Sequence, residues 1–460
     1  MAKQNQESEL NTPATRRGFL AASGAVIATA SVASRAMAVA PHTFGNDTIK
    51  VGLVGCGGRG KSAIGQIINT PGPVKVVALA DAFEYRIQEA IGSASAAARE
   101  RIGDGPGNVA DIVDVPAERQ FVGLDAYKGL LETDCDLVVL ATPPGFRPVQ
   151  FEAAVNAGKH VFTEKPLATD AHGVRRVLAA GEIAKKNNTA VAVGLQRRHE
   201  PKYIETIGRL RDGAIGDIIL TRVYWNSGPL WNRSRYDLAQ RLGRRPNELE
   251  YQVENWYYFN WLCGDHIVEQ HIHNIDVSNW LFDAVPEYAY GMGGREVRTG
   301  KQYGQIFDHH MVEFTMPGGA KMLSACRHQS GCVNNVSEHA HGTEGTADIS
   351  GGTIYAPDGK VAWRYEGRNP QGHQQEQTDL IANLRKGVIQ NETEYGAHST
   401  MSAILGRMVT YSGKQIRWDD AIASELRLSG DIHAWDAPAP VTPDEDGRYP
   451  VPVPGKTEVV

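Results

Sequence analysis

The sequence predicts two domains: a doubly wound parallel α/β sheet over residues 48–195, then an α+β domain over 196–435 built on a mostly antiparallel sheet. Three observations carry this. In the first stretch buried-strand runs alternate with helix-length segments, which argues for a parallel sheet covered on both faces. After about residue 215 strand candidates follow one another, and their alternation suits a sheet with one covered face. Between the first strand run, 49–54, and a helix over 61–69 lies a glycine loop, Gly55-Cys56-Gly57-Gly58-Arg59-Gly60.

In the first domain further strands are expected at 74–80, 137–141, 160–163 and 190–195, with helices at 84–101, 150–157 and 170–186. In the second, strands are expected at 218–225, 287–291, 309–316, 321–327 and 346–354, and a helix pair near 375–386 and 400–413. Gly and Pro punctuate residues 437–455, so 436–460 reads as a tail that wraps the surface or hangs loose.

The glycine loop has the spacing of a dinucleotide-binding turn, in which glycines let the backbone approach a pyrophosphate at a helix N-terminus. The second strand ends in Asp81, 21 residues after Gly60. A carboxylate there accepts hydrogen bonds from an adenosine ribose and repels a 2′-phosphate, which favours NAD over NADP. Thr142-Pro143-Pro144 and Thr163-Glu164-Lys165-Pro166 stand at other strand ends, where the crevice of such a sheet lies. Cofactor contacts are therefore expected from Gly55, Gly57, Gly58, Arg59, Gly60, Asp81, Thr142, Pro143, Glu164 and Lys165.

Residues 1–40 stand apart from both domains. Arg16-Arg17-Gly18-Phe19-Leu20, an Ala/Ser/Gly-rich apolar stretch and Ala36-Met37-Ala38 read as a twin-arginine export signal, which places the mature protein in the periplasm. The composition, 42% hydrophobic and 22% charged with a formal net charge of −6, is that of a globular protein. No basic stripe points to nucleic acid, and no later apolar run reaches the ~20 residues of a membrane helix. The five cysteines show no zinc-like pairing; Cys326 and Cys332 are spaced to bridge or to remain thiols.

Three groups of residues carry chemistry. A lysine beside a nicotinamide, Lys165, can hold a substrate hydroxyl and help its proton leave as hydride departs. On a continuous helix through Cys263–Asp276, His266, Glu269, Gln270 and His273 would share one face. That face offers His273 as acid/base or hydroxyl partner and Glu269 to orient it. The same residues support a metal reading, in which His266, Glu269 and His273 share one ion. Arg197 and Arg198 after the last parallel strand, with His266 and the aromatic segment ending at Trp261, supply forks and stacking faces for a sugar. Residues 231–256 read as an arginine-rich insertion, a lid or an oligomer contact.

In this order and spacing the motifs resemble the glucose–fructose oxidoreductase / inositol dehydrogenase / rhizopine-catabolism superfamily, Gfo/Idh/MocA. The likeness spans nearly all of 48–425. It runs through the glycine loop, Ala141-Thr142-Pro143-Pro144, Glu164-Lys165-Pro166, Arg197-Arg198, His273-Asn274-Ile275-Asp276, Gly342-Thr343-Glu344-Gly345-Thr346 and Tyr411-Ser412-Gly413-Lys414. The resemblance implies a Rossmann domain, an open-faced sheet domain for substrate binding and oligomerisation as a homodimer or homotetramer, NAD or NADP, and hydride transfer at a sugar or cyclitol carbon. It implies that Lys165 and His273 are the catalytic lysine and histidine. Two positions depart from the pattern: Glu269 replaces an aspartate four residues before the histidine, and Pro144 and Arg147 replace the last two named residues of Thr-Pro-Asn-x-x-His.

The reading reached from sequence is an exported, NAD-dependent oxidoreductase of a sugar or sugar derivative. Outside the cytoplasm no free cofactor pool exists, so a tightly held cofactor is expected. A redox-neutral NAD-dependent glycosidase, a metal-assisted keto-sugar lyase and a non-catalytic sugar-binding protein are the alternatives on the same fold.

Overall fold

The computed structural model describes residues 44–460, so the export segment expected over 1–40 lies outside the described residues. Six strands form the first sheet: β1 (Ile49–Val54), β2 (Val74–Asp81), β3 (Gln120–Val122), β4 (Leu137–Leu140), β5 (His160–Thr163) and β6 (Val191–Val193). Their order is β3-β2-β1-β4-β5-β6, all parallel. Ile49, Val51 and Leu53 of β1 are fully buried, as a strand covered on both faces requires. Strand β3 was not expected; at the edge of the sheet its residues are half-buried or, for Val122, exposed, and give no apolar run.

The helices Gly58–Ile68 and Glu84–Ile102 share one apolar layer with β1 and β2, while Arg147–Asn156 and Ala171–Lys186 pack with β4 to β6 on the other. Two late helices complete these layers. Leu380, Ile381 and Leu384 of Gly372–Lys386 join the first layer, and Thr393–Ser412 joins the second. The chain thus returns from its second domain to cover the first. Strand order reverses between β1 and β4, and the crevice opens at the carboxyl ends there.

The second sheet contains β7 (Ile218–Ser227), β8 (Tyr288–Gly294), β9 (His309–Thr315), β10 (Lys321–His328), β11 (Asn335–Gly342), β12 (Thr346–Asp348), β13 (Thr353–Tyr355), β14 (Val361–Arg364) and β15 (Ile416–Arg417). The order is β14-β13-β12-β11-β7-β10-β9-β8-β15, antiparallel except for the parallel pair β7 and β10. Lys321–His328 alternates half-buried and buried residues without exception, the signature of one covered face. Across the other face Tyr290, Met292 and Met311 are exposed.

One sequence expectation is corrected here, and one left open is decided. The single strand at 346–354 is a hairpin: Asp348 Oδ1 accepts the Gly351 N–H at 2.8 Å, and Gly352 adopts a φ of +62°. Cys326 and Cys332 do not bridge; Cys326 is buried in β10, Cys332 is exposed, and all five cysteines are free.

Strand β11 escaped the sequence pattern because its inward residue is a carboxylate. Glu338 is fully buried, and its charge is met by Arg197 Nη1 at 2.5 Å, by the Tyr203 hydroxyl at 3.0 Å and by Asn274 Nδ2. Arg198 is likewise committed: its Nε and Nη2 reach Asp276 at 2.8–3.1 Å, with the guanidinium 4.0 Å above the Tyr395 ring. Ser399 Oγ donates to the same carboxylate at 2.7 Å. Arg197 and Arg198, expected at the substrate, are instead committed to buried carboxylates of the second domain.

Because Asp276 is 1% exposed, Asp276→Ala leaves the Arg198 charge buried without its counter-ion. We expect a loss of about 3–5 kcal/mol, read as a lowered urea midpoint, with Asp276→Asn losing less.

Candidate active site

The site is a cavity of about 440 Å³ where the carboxyl ends of the parallel sheet meet the second domain. Its first wall is the glycine loop. Gly55 has a φ of +95°, and a Cβ on it would stand 2.6 Å from the Ala141 and Thr142 backbone. A Cβ on Gly60 would collide with the Gly55 carbonyl oxygen. A Cβ on Gly57 or Gly58 would meet nothing, so at these two positions bare backbone faces the open cavity at the N-terminus of Gly58–Ile68. That is the cradle a pyrophosphate needs.

Asp81, Thr142, Pro143, Glu164 and Lys165 line the same cavity. Asp81 Oδ2 accepts the Cys56 N–H at 2.7 Å and Oδ1 the Phe83 N–H at 2.9 Å, which leaves one lone pair on each oxygen for a ribose hydroxyl. Burial pushes its carboxyl above the ordinary value against those two hydrogen bonds. Thr142 Oγ1 donates to Gln150 Oε1 at 2.6 Å.

Glu164 and Lys165, adjacent in sequence, face opposite partners. Arg59 reaches from the glycine loop to Glu164 Oε1 at 2.5 Å and to Glu376 Oε1 at 2.9 Å. Burial alone would raise the Glu164 carboxyl; Arg59, Lys165 and Arg147 outweigh it and hold the group below its ordinary value. Burial and the neighbouring Glu164 drive Glu376 well above its own. Lys165 Nζ turns to the second domain, donating to the Glu269 carbonyl at 2.5 Å and to Glu269 Oε1 at 3.0 Å.

The helix expected through Cys263–Asp276 is broken, which corrects the predicted polar face. Gly264 and Asp265 both have positive φ, +75° and +74°. Two short segments come next, His266–Glu269 and Ile272–Phe282, joined where the His271 N–H bonds the His266 carbonyl at 3.1 Å. That five-residue step inserts one residue into the 3.6-residue period and rotates the second segment by about 100° relative to the first. Glu269, Gln270 and His273 consequently line the cavity, whereas His266 does not.

His266 is 1% exposed, its ring 4.8 Å from that of His310 and 4.5 Å from that of His328. The trio His266, Glu269 and His273 therefore does not share a site. Among the described residues the cluster with metal-ligand spacing is Asp265, His266 and His310, buried and absent from the cavity wall. Trp261 is also displaced from the expected role; it is buried, and its Nε1–H donates to Gln252 Oε1 at 2.8 Å.

His273 stacks on Trp225 with centroids 6.0 Å apart. Burial first, then Lys165 and Arg197, drive its pKa far below the ordinary histidine value, so the imidazole is neutral. Arg147, the departure noted in the sequence, is 5% exposed, lines the cavity and donates through Nη1 to the Pro166 carbonyl at 2.5 Å. Burial pulls its guanidinium down to about 10.

Trp231, Arg233, Val253 and Trp256 of the insertion also line the cavity, along with Trp225, Arg86 and His373. The insertion is thus a wall of the site. Its composition carried the signal, but nothing in the sequence chose between lid and oligomer contact.

A glycine cradle, a ribose-facing carboxylate and a lysine–glutamate–histidine set in one cavity define a two-domain dinucleotide-binding protein. Residues 49–195 match the model of the oxidoreductase family with an NAD-binding Rossmann fold, Gfo/Idh/MocA. An inositol 2-dehydrogenase of Acidothermus cellulolyticus is 27% identical over 248 residues, 54% of this chain and 58% of that protein. The match therefore spans little more than half of that relative's length. Among solved structures, scyllo-inositol dehydrogenase from Lactobacillus casei with bound NAD(H) and scyllo-inositol superposes with a TM-score of 0.57 at 19% identity, covering 81% of this chain and 99% of its own. An aldose-aldose oxidoreductase from Caulobacter crescentus gives 0.60 at 16%, covering 80% and 99%. These two share the fold.

Burial holds His266 and His273 well below the ordinary histidine value, His271 and His328 at about 3, and His373 at about 4. The unfolded chain takes protons on these rings near pH ~6.5 and the folded chain does not, so stability falls as pH drops below that value. Each fully buried ring contributes about 2 kcal/mol at about pH 5. Glu376 and His199, whose values are raised, oppose part of this. The denaturant midpoint should be clearly lower near pH ~5 than near pH ~7.5.

Proposed function

We propose that the chain is an NAD-dependent oxidoreductase that exchanges hydride with a CH–OH carbon of a cyclitol, sugar or sugar derivative. The observation that carries this is the meeting of Lys165, Glu269 and His273 in the cavity that the glycine loop opens. The inositol dehydrogenase relatives, including the structure holding NAD(H) and scyllo-inositol, support it.

Bound NAD supplies the hydride acceptor. Glu269 takes two of the three Lys165 ammonium donors and aims the third at the cavity, where it can hold a substrate hydroxyl oxygen. His273, neutral and half of a stack with Trp225, accepts the hydroxyl proton as the C–H bond breaks. Glu269 has the longer arm of the two acidic residues and bonds Lys165 through both its backbone and its side chain, so it fixes the lysine rather than the substrate.

The same reading includes export by the twin-arginine route, a periplasmic site of action and a cofactor loaded before export and held through turnover. It also includes a homodimer or homotetramer closed over the exposed sheet face of Tyr290, Met292 and Met311, because an apolar sheet face of this kind favours cover.

The test begins with protein purified without added cofactor, then denatured, with released dinucleotide identified by mass spectrometry. Near-stoichiometric NAD(H), followed by absorbance change at about 340 nm on adding inositols or aldoses, supports the proposal. A site that is empty and refuses added NAD overturns it, and glycoside cleavage without net NADH would move the chemistry to the redox-neutral class. Lys165→Met should keep its dinucleotide and lose about a hundred- to ten-thousandfold in kcat/KM. Replacing Arg16 and Arg17 by Lys should retain the protein in the cytoplasmic fraction, measured by fractionation.

A further inference from the structure

The ribose end of the cavity holds a cation that a bound NAD does not require. Arg86 lines the cavity beside Asp81 and Phe83, in the first turn of the helix Glu84–Ile102. An arginine placed after the second strand of this fold is the group that receives the 2′-phosphate of NADP, and its planar fork suits a phosphate monoester.

Arg86 is already engaged, by a residue from the other domain. Its Nη2 donates to Glu254 Oε2 at 2.6 Å, and the same oxygen accepts the Tyr85 hydroxyl at 2.7 Å. Glu254 is 5% exposed, at the end of the helix Glu248–Glu254 inside the insertion. Arg233, the next cation along the insertion, approaches its other oxygen only to 3.9 Å. Asp81 makes no ion pair with Arg86; its oxygens accept the Cys56 and Phe83 N–H groups.

We infer that Glu254 is a specificity-determining residue for the dinucleotide: it withdraws Arg86 from a 2′-phosphate and sets a second carboxylate beside Asp81, so that NAD is taken and NADP refused. The inference rests on the NAD reading above and deepens it. Choice of cofactor then depends on a residue outside the parallel sheet, and Asp81 alone does not decide it. Two carboxylates near one ribose repel a phosphate dianion, and a guanidinium held by one of them cannot turn to receive it.

The experiment measures the Kd of NAD and of NADP by quenching of protein fluorescence, Trp231 and Trp256 being in the cavity wall, on wild type, Glu254→Gln and Arg86→Met/Glu254→Gln. Dinucleotide carried through purification is identified in parallel by mass spectrometry. Wild type should favour NAD by about a hundredfold, and Glu254→Gln should narrow the ratio by about tenfold or more through tighter NADP, as one freed charge-assisted contact allows. The double variant should bind NADP as weakly as wild type does. Arg86→Met alone tests the arginine in a background that keeps Glu254, and it should leave NADP no tighter.

An unchanged ratio in Glu254→Gln, or equal loss of both dinucleotides, overturns the inference and leaves Glu254 a structural tie. A wild type that binds both equally overturns it while the hydride-transfer proposal stands. A wild type that binds neither overturns both.

Discussion

The carboxylate of Asp265 sets the geometry on which the candidate site depends. The residue sits at a φ of +74°, a conformation that costs an L-residue of order 1–3 kcal/mol and persists only where the surroundings fix it. Here they do. Oδ1 accepts the His266 N–H at 2.5 Å, and Oδ2 accepts the Phe307 N–H at 2.9 Å and the Tyr411 hydroxyl at 2.5 Å. His310 Nε2 stands 3.3 Å from Oδ1. These partners come from the strap before β9, from β9 itself and from the long late helix, so the fold of the whole second domain is read at one buried carboxylate. Burial would raise its pKa; His310, Tyr411 and Phe307 outweigh that and keep it ionised. It fixes the start of the segment in which the five-residue step from His266 to His271 turns Glu269 and His273 into the cavity and leaves His266 in the core.

Charge then joins the two domains at the floor of the site. Lys165 crosses from the end of β5 to Glu269, while Glu164 next to it turns back to Arg59 and, through Arg59, to Glu376. Opposite orientation of adjacent side chains is what an extended strand end provides, and this one uses it to place one charge toward the cofactor cradle and the other toward the substrate wall. The arrangement requires both domains. Lys165 without Glu269 would be a poorly aimed ammonium, and Glu164 without Arg59 would be a buried, uncompensated carboxylate, which costs several kcal/mol.

Much of the first domain was legible because its physics is local. Glycine spacing, buried runs such as Ile49–Val54 and the Glu164-Lys165 pair at a strand end each arise from neighbours in sequence. The hidden features were decided at long range. Strand β11 reads as polar until Arg197, 141 residues away, meets Glu338. Arg197 and Arg198 read as substrate forks because their partners, Glu338 and Asp276, lie on elements that no local pattern links to them. The face of His266, Glu269 and His273 fails because a 3.6-residue period assumes an unbroken helix, and the five-residue step from His266 to His271 breaks it.

The insertion shows how unequal contacts set the closure of the cleft. Two ion pairs tie it to the helix Glu84–Ile102: Arg241 with Glu89 at 3.0 Å, and Arg86 with Glu254 at 2.6 Å. In the first pair the side chains are 48% and 41% exposed, so it contributes about 0–1 kcal/mol. In the second they are 19% and 6% exposed, and breaking it strands a charge in a half-dry cleft. Behind the insertion the C-terminal segment adds apolar backing. Trp435 lies 5.3 Å from Phe83 of the first domain, Asn247 Nδ2 donates to the Trp435 carbonyl at 2.9 Å, and the Tyr449 ring meets Phe259 edge-on at 4.9 Å. Within 436–460, the segment expected to wrap or hang loose, Tyr449 reaches the insertion, its hydroxyl accepting from Arg235 at 2.8 Å and donating to Glu248 at 2.5 Å. Parting the roof from the ribose end of the cleft requires unstacking Trp435 from Phe83 and breaking the Arg86–Glu254 pair together. The residue that neutralises Arg86 is thus also the one that holds the roof down, so the contact that would choose the dinucleotide is the contact that would keep it in place.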